Sequence, residues 1–190
     1  MKQKIYLIRH GETEWSLSDQ HTGLTDIPLT QQGKIQAAEL KQRLKNHPFT
    51  LVLSSPLKRA TTTCQLAGFL DKAEIDTDLV ECNYGDYEGR TTADILKENP
   101  SWNLFTDGAP NGESLLEMEA RAKRVLKKIK GAKGDVILFS HGHFLRVLAA
   151  CFLGLSGSEG KLFLLSTGAI SILGYERDAP AVVLWNSQSS

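Results

Sequence analysis

The first apolar segment of the chain ends in a short run of side chains that could do phosphate chemistry. Residues 5–8 are apolar and typical of a buried strand, and Arg9, His10 and Gly11 follow them directly. In an open α/β sheet, the carboxyl ends of the strands form the edge where ligands bind. A guanidinium and an imidazole at that edge, where the chain must turn, are suited to holding an anion.

Two later apolar segments end in a similar way. Residues 51–54 predict a buried strand followed by a run that contains Arg59, and residues 135–139 predict another followed by His141. If the three strands are parallel, two arginines and two histidines should converge at one edge of the sheet. Glu81 lies in a less regular segment that could close over this edge.

This set of side chains predicts the transfer of a phosphoryl group. Two guanidiniums offer paired donors to a tetrahedral dianion. A neutral imidazole at His10 would be a nucleophile toward phosphorus, because nearby arginines disfavour its protonated form. The imidazole of His141 could donate to the phosphoryl oxygens. Glu81 could protonate the leaving oxygen and then activate water; its segment also offers three alternative acids, Asp78, Asp86 and Glu88.

Several blocks in chain order strengthen this interpretation. The run Arg9-His10-Gly11-Glu12-Thr13 resembles the signature of the histidine phosphatase superfamily, also called the phosphoglycerate mutase-like family. The resemblance continues through most of the chain, in residues 22–26, 28–30, 33, 54–60, 81, 85–89, 112–114 and 140–143. It implies that His10 is the nucleophile that becomes phosphohistidine, that Glu81 is the proton donor, and that the phosphate pocket consists of Arg9, Arg59 and His141.

The same resemblance implies where the substrate binds and what the reaction requires. Substrate contacts are expected from Arg9, Ser16, Thr22, Gly23, Arg59, Glu81, His141 and Gly142. No metal and no organic cofactor would be needed, since fixed cationic donors can stabilise the transferring phosphoryl group. The expected partner is therefore a small phosphorylated molecule.

The branch of the superfamily decides the expected reaction. Mutases of the superfamily usually carry asparagine where this chain has Ser16. They are also longer chains, with extra segments around the substrate. Residues 14–16, 21–26 and 84–89 look more like sugar-bisphosphate phosphatases of the sedoheptulose bisphosphatase type. We therefore expect a metal-independent phosphatase for small phosphomonoesters such as sugar phosphates. A phosphoglycerate mutase and a non-catalytic phosphate-binding protein are the alternatives, and phosphoprotein substrates stay open.

The elements that must position these residues alternate along the chain. Apolar runs predict strands, and spacings of three and four predict helices. The alternation predicts an α/β fold in one domain, residues 1–190: a three-layer sandwich with a mostly parallel central sheet, helices on both faces and one antiparallel strand. The predicted strands are 4–9, 51–54, 75–79, 135–139, 169–174 and 181–185, and the predicted helices are 31–46, 56–70, 92–98, 113–130 and 144–153.

Composition narrows the classes of protein that fit. The 22 basic residues equal the 22 acidic ones, so there is no global positive field to attract nucleic acid. The three cysteines form no CxxC pair, which argues against a zinc site and a disulfide framework. No segment resembles a signal peptide or a membrane helix. We therefore expect a cytoplasmic protein, and the sequence leaves its oligomeric state open.

Overall fold

The computed structural model describes residues 2–189. These residues form a six-stranded sheet of β1 (Ile5–Arg9), β2 (Leu51–Ser54), β3 (Ala73–Ile75), β4 (Val136–Ser140), β5 (Ile170–Glu176) and β6 (Ala179–Ser187). The order across the sheet is β3-β2-β4-β1-β5-β6. Strands β1 to β4 pair in parallel, whereas β5 runs antiparallel to both β1 and β6. The predicted mostly parallel sheet with one reversed strand is thus confirmed.

The helices of the described residues are α1 (Glu14–Leu17), α2 (Gln31–Arg43), α3 (Lys58–Leu66), α4 (Thr92–Glu98), α5 (Leu104–Asp107), α6 (Leu115–Lys130) and α7 (Gly142–Phe152). Short 3₁₀ turns cover Leu70–Lys72, Thr77–Leu79, Gly85–Tyr87 and Gly157–Leu162. Between residues 2 and 189, no helix combines the length and the apolar character needed to cross a membrane.

One predicted strand was wrong in most of its length. Strand β3 ends at Ile75, and Thr77–Leu79 is a 3₁₀ turn instead of extended chain. The side chain of Asp76 accepts a hydrogen bond from the Asp78 amide at 3.0 Å. This local bond caps the turn and competes with the sheet for the backbone.

The sheet separates two apolar cores. Along β1, Ile5 and Leu7 pack with the buried faces of α6 and α7, while Tyr6 and Ile8 pack with α2 and α3. Successive side chains of a strand point to opposite faces, so β1 contributes to both cores. The predicted three-layer sandwich is therefore present.

A close contact between the turn after β1 and the start of α2 fixes the chain just after His10. The Thr30 amide donates to the Glu12 carbonyl at 2.9 Å. A Cβ atom on Gly11 would overlap the carbonyl of Gly33, and one on Gly33 would overlap the Glu12 carbonyl. Two glycines are required here because the two backbones touch.

Candidate active site

Three adjacent parallel strands bring distant residues to one edge of the sheet. In the register of the sheet, Arg9 at the end of β1 lies beside Ser140 at the end of β4, and Ser54 at the end of β2 lies beside Phe139. His141 follows β4 directly, and Arg59 lies in the first turn of α3. The expected convergence of the two arginines and two histidines is therefore found.

A cavity of about 570 Å³ opens at this edge. Six of the predicted site residues line it, namely Arg9, His10, Ser16, Thr22, Glu81 and Gly142. The other three, Gly23, Arg59 and His141, are buried and lie behind the cavity wall. Whether these three contact substrate stays a prediction.

The ring of His10 is oriented by its own neighbour. Its Nδ1 lies 2.7 Å from the carbonyl oxygen of Gly11. Because a carbonyl can only accept, Nδ1 carries the proton and Nε2 has a free lone pair. Burial, and then the charges of Arg59 and Arg9, lower the pKa of His10 well below its ordinary value of 6.5. The imidazole is thus neutral at neutral pH, with one nitrogen available.

Arg9 brings a cation to the wall of the cavity. Its Nη1 donates to the carbonyl of Leu165. Its Nε is a buried donor that has no acceptor among residues 2–189. A buried donor without an acceptor is costly and uncommon in folded proteins. Arg9 therefore places a positive charge at the cavity wall, while its Nε is closed off from the cavity space.

Arg59 is fully buried and holds the loop that follows α1. Its Nη1 donates to the carbonyl of Thr25 at 2.9 Å, and its Nη2 donates to those of Thr22 and Gly23 at 3.2 and 2.7 Å. Its Nε points to the ring of His141, whose centroid lies 5.2 Å from that of His10. The guanidinium therefore anchors loop backbone while its charge acts on both imidazoles.

Glu81 sits at the amino terminus of α7. Its Oε1 accepts from the amides of Cys82 and Phe144 at 3.0 and 2.9 Å, and its Oε2 accepts from the amide of His143 at 3.0 Å. Free amides at a helix start are good partners for a carboxylate. Glu81 as a residue is 5% exposed, and it lines the cavity that contains His10.

The alternative acids of this segment are placed elsewhere. Asp78 forms two hydrogen bonds with the exposed Arg124, and Asp86 is exposed and bonded to Asn111. Glu88 accepts from the amides of Gly23 and Thr25, a backbone role. None of the three acids lines the cavity, whereas Glu81 does.

Comparison with known proteins assigns the family. Residues 5–188 match the histidine phosphatase superfamily (branch 1). The chain belongs to this superfamily. Together with relatives that are named phosphatases, this membership makes the chain a phosphoric monoester hydrolase, as the sequence predicted.

Individual members of the histidine phosphatase superfamily are similar over most of the chain. An acid phosphatase of Mycobacterium tuberculosis is 38% identical over 177 residues, which cover 91% of this chain and 87% of that protein. Sedoheptulose 1,7-bisphosphatase of Saccharomyces cerevisiae is 37% identical over 185 residues, covering 80% and 68%. The solved structure of open reading frame Rv3214 of M. tuberculosis aligns with a TM-score of 0.94 and 33% identity over 99% of both chains.

One part of the cavity wall of this histidine phosphatase was not predicted from the sequence. That part includes Tyr84, His143 and Arg146, together with His21. The Tyr84 hydroxyl lies 2.6 Å from Nδ1 of His143, and the His21 ring packs on the Tyr84 ring at 4.7 Å. One signal was available: Arg146 follows Gly142 by four residues, so both share one face of α7.

No grouping of three or more histidine, cysteine, aspartate or glutamate side chains suited to a metal ion occurs within residues 2–189. The three cysteines are free, and burial raises the pKa of the Cys64 thiol to about 12. A thiol with a raised pKa is inert as a nucleophile at neutral pH.

Proposed function

We propose that this chain is a metal-independent phosphatase that hydrolyses small phosphomonoesters through a phosphohistidine at His10. The observation that carries the proposal is the His10 ring itself. Its Nδ1 is held by the Gly11 carbonyl, which leaves Nε2 as a neutral nucleophile in a cavity that also contains Arg9 and Glu81. This combination of nucleophile, cation and acid is what phosphoryl transfer to a side chain requires.

The reaction would run in two displacements. In the first, Nε2 of His10 attacks phosphorus, the bond to the leaving oxygen breaks, and Glu81 gives that oxygen a proton. In the second, a water molecule loses a proton to Glu81 and attacks phosphorus, the nitrogen–phosphorus bond breaks, and inorganic phosphate leaves. One carboxyl group can serve both steps because it ends each cycle in its starting protonation state.

The positive charges would act on the transferring phosphoryl group. Arg9 lines the cavity and would place its charge beside a bound phosphoryl group. Arg59 would add its charge from behind, and the amino terminus of α7, where Gly142 lines the cavity, would add a partial positive charge. Such fixed donors could stabilise the transition state without a metal ion.

A second arginine in the cavity wall supports sugar phosphates with two anionic groups as substrates. Arg146 lines the cavity, with the guanidinium carbon 4.5 Å from the centroid of the Phe105 ring. Its Nε and Nη2 donate to the carbonyls of Gly160 and Lys161, which holds the cation in place. A substrate with a second anionic group could therefore contact Arg146 while its first phosphate is at His10, and a relative is named as a sugar bisphosphatase.

A panel of phosphorylated metabolites assayed for phosphate release, with a chelator present, tests the proposal. We expect turnover of sugar phosphates that the chelator does not change and that His10→Ala abolishes. Turnover by His10→Ala would contradict the proposed nucleophile, and loss of activity with chelator would contradict metal independence. Interconversion of phosphoglycerates that is faster than their hydrolysis would favour a mutase, and binding without turnover would favour a phosphate-binding protein.

A further inference from the structure

We propose that Arg121 and Glu113 are positioning residues that hold the proton donor Glu81 in place. This inference rests on the proposed function, in which Glu81 protonates the leaving oxygen. The block Gly112-Glu113-Ser114 is part of the family resemblance, yet no step of the proposed mechanism uses it.

The position of Glu81 depends on side-chain contacts because no strand or helix contains it. The preceding 3₁₀ turn ends at Leu79. Arg121, on α6, donates from Nη1 to the carbonyls of Asp78 and Val80 at 2.6 and 3.0 Å. One guanidinium nitrogen therefore fixes the chain immediately before Glu81 at two points.

Glu113 fixes the same segment from the other side. Its amide donates to the carbonyl of Asn83 at 2.8 Å, two residues after Glu81. Its carboxylate accepts from Nε and Nη2 of Arg121 at 2.6 and 2.8 Å. Both side chains are nearly buried, with 12% of Glu113 and 11% of Arg121 exposed. A paired geometry of this kind fixes orientation as well as distance.

Arg121 also contacts the helix start that receives the Glu81 carboxylate. Its guanidinium carbon lies 4.6 Å from the centroid of the Phe144 ring. The amide of Phe144 is one of the donors to the Oε1 atom of Glu81. The arginine thus connects the segment that carries the carboxyl group with the helix terminus that holds it.

These two residues lie away from the reacting atoms. Arg121 and Glu113 line a second cavity of about 450 Å³, and Glu81 contributes to the walls of both cavities. The ion pair would therefore act on the reaction through Glu81, without touching substrate. Its loss should impair proton donation more than attack at phosphorus.

Two substrates of similar size separate these effects. The leaving phenolate of 4-nitrophenyl phosphate departs without a proton, whereas the alkoxide of 4-nitrobenzyl phosphate needs one. General acid catalysis contributes roughly 10²- to 10⁴-fold. For Arg121→Met we expect kcat/KM to fall at least about 30-fold more with the benzyl than with the phenyl substrate, part of that general-acid contribution.

Control variants keep the test specific. Arg124→Met removes a neighbouring arginine of α6 that bonds to the Asp78 carboxylate and is largely exposed, and it should leave the substrate ratio unchanged. Glu113→Gln should shift the ratio in the same direction as Arg121→Met, and it keeps the test decisive if that variant does not fold. Adding Arg121→Met to Glu81→Gln should cause no further loss with the benzyl substrate.

The outcomes separate this inference from the proposed function. An equal loss with both substrates, or no loss with either, in variants that remain folded by circular dichroism would overturn the positioning role. Activity retained by His10→Ala, or wild-type protein that hydrolyses neither substrate, would instead overturn the phosphatase mechanism itself.

Discussion

Nε of Arg59 donates a hydrogen bond to Nδ1 of His141 over 3.1 Å. The bond requires an unprotonated Nδ1, so the proton of the neutral ring is on Nε2, which lies 2.8 Å from Oγ of Ser55. Burial, and then the charge of Arg59, lower the pKa of His141 well below 6.5, in agreement with a neutral ring. The second imidazole is therefore oriented by an arginine that also holds the substrate-side loop.

Replacing Arg59 should destabilise the fold as well as the site. Arg59→Met keeps the apolar stem but leaves the carbonyls of Thr22, Gly23 and Thr25 without their buried donor. Lost buried hydrogen bonds of this kind predict a decrease of about 2–4 kcal/mol in the free energy of unfolding. Urea denaturation at neutral pH measures it.

The adjacent lysine provides the control for Arg59. Lys58 is exposed and begins the same helix, so Lys58→Met should change the free energy of unfolding by less than about 0.5 kcal/mol. A similar small change for Arg59→Met would show that its hydrogen bonds contribute little.

Stability should decrease as pH falls through the ordinary histidine range. Burial lowers the pKa values of His10, His141 and His143 well below 6.5 in the folded state. The unfolded chain therefore takes up protons near pH ~6.5 that the folded chain does not, so its free energy decreases relative to the folded state. For each histidine we expect the free energy of unfolding to decrease by up to about 1.4 kcal/mol per pH unit below pH ~6.5. Well above that pH the histidines should not affect the free energy of unfolding.

Urea denaturation between about pH 5.5 and about pH 8 measures this slope. His10→Ala should reduce this slope by the contribution of one histidine, because one buried neutral imidazole is removed. A slope that is unchanged in this variant, or stability that rises on acidification, would contradict the assignment of buried neutral rings.

Arg146 should matter for substrates that carry a second anionic group. Arg146→Met retains apolar contact with Phe105 but removes the cation. We expect kcat/KM for a sugar bisphosphate to fall about tenfold or more, the effect of ~1.4 kcal/mol from one charge-assisted contact. Hydrolysis of 4-nitrophenyl phosphate should change much less, since it has no second anion.

Lys161→Met is the matched control for Arg146. The lysine side chain is exposed, and its backbone carbonyl, which accepts from Arg146, is unaffected by the substitution. Both substrates should be hydrolysed as by the wild type. An equal loss with both substrates in Arg146→Met would argue against a role in substrate choice.

The meeting of the site residues at one edge of the sheet could be predicted because it follows from strand direction. Three apolar runs ending in Arg9, Ser54 and Ser140 meet once their strands are parallel, whatever the helices between them do. Hydrophobic periodicity also predicted the main helices, and the alternation of strands and helices predicted that helices cover both faces of the sheet. Glu81 could be proposed as an acid from the sequence. That backbone amides at the start of α7 hold its carboxylate could not be predicted.

The path of the loops and the partners of the buried side chains could not be predicted, because they depend on side-chain geometry that leaves no periodic pattern in the sequence. The region from 70 to 87 consists mostly of turns, and its path is fixed by distant donors: Ser140 Oγ donates to the Leu79 carbonyl at 2.7 Å. Arg59 was expected to face the phosphate, yet its donors reach loop carbonyls 34 to 37 residues earlier in the chain. Such contacts arise from packing after the fold has formed.

The measurement that tests the central claim most directly is the trapping of a covalent intermediate. The protein is mixed with a phosphomonoester, quenched in alkali within one turnover, digested with trypsin and sequenced by mass spectrometry. We predict one phosphoryl group on His10, located by fragmentation because the peptide that begins there also contains His21. Phosphate found on another residue, or steady turnover with no phosphorylated peptide at any quench time, would contradict the account.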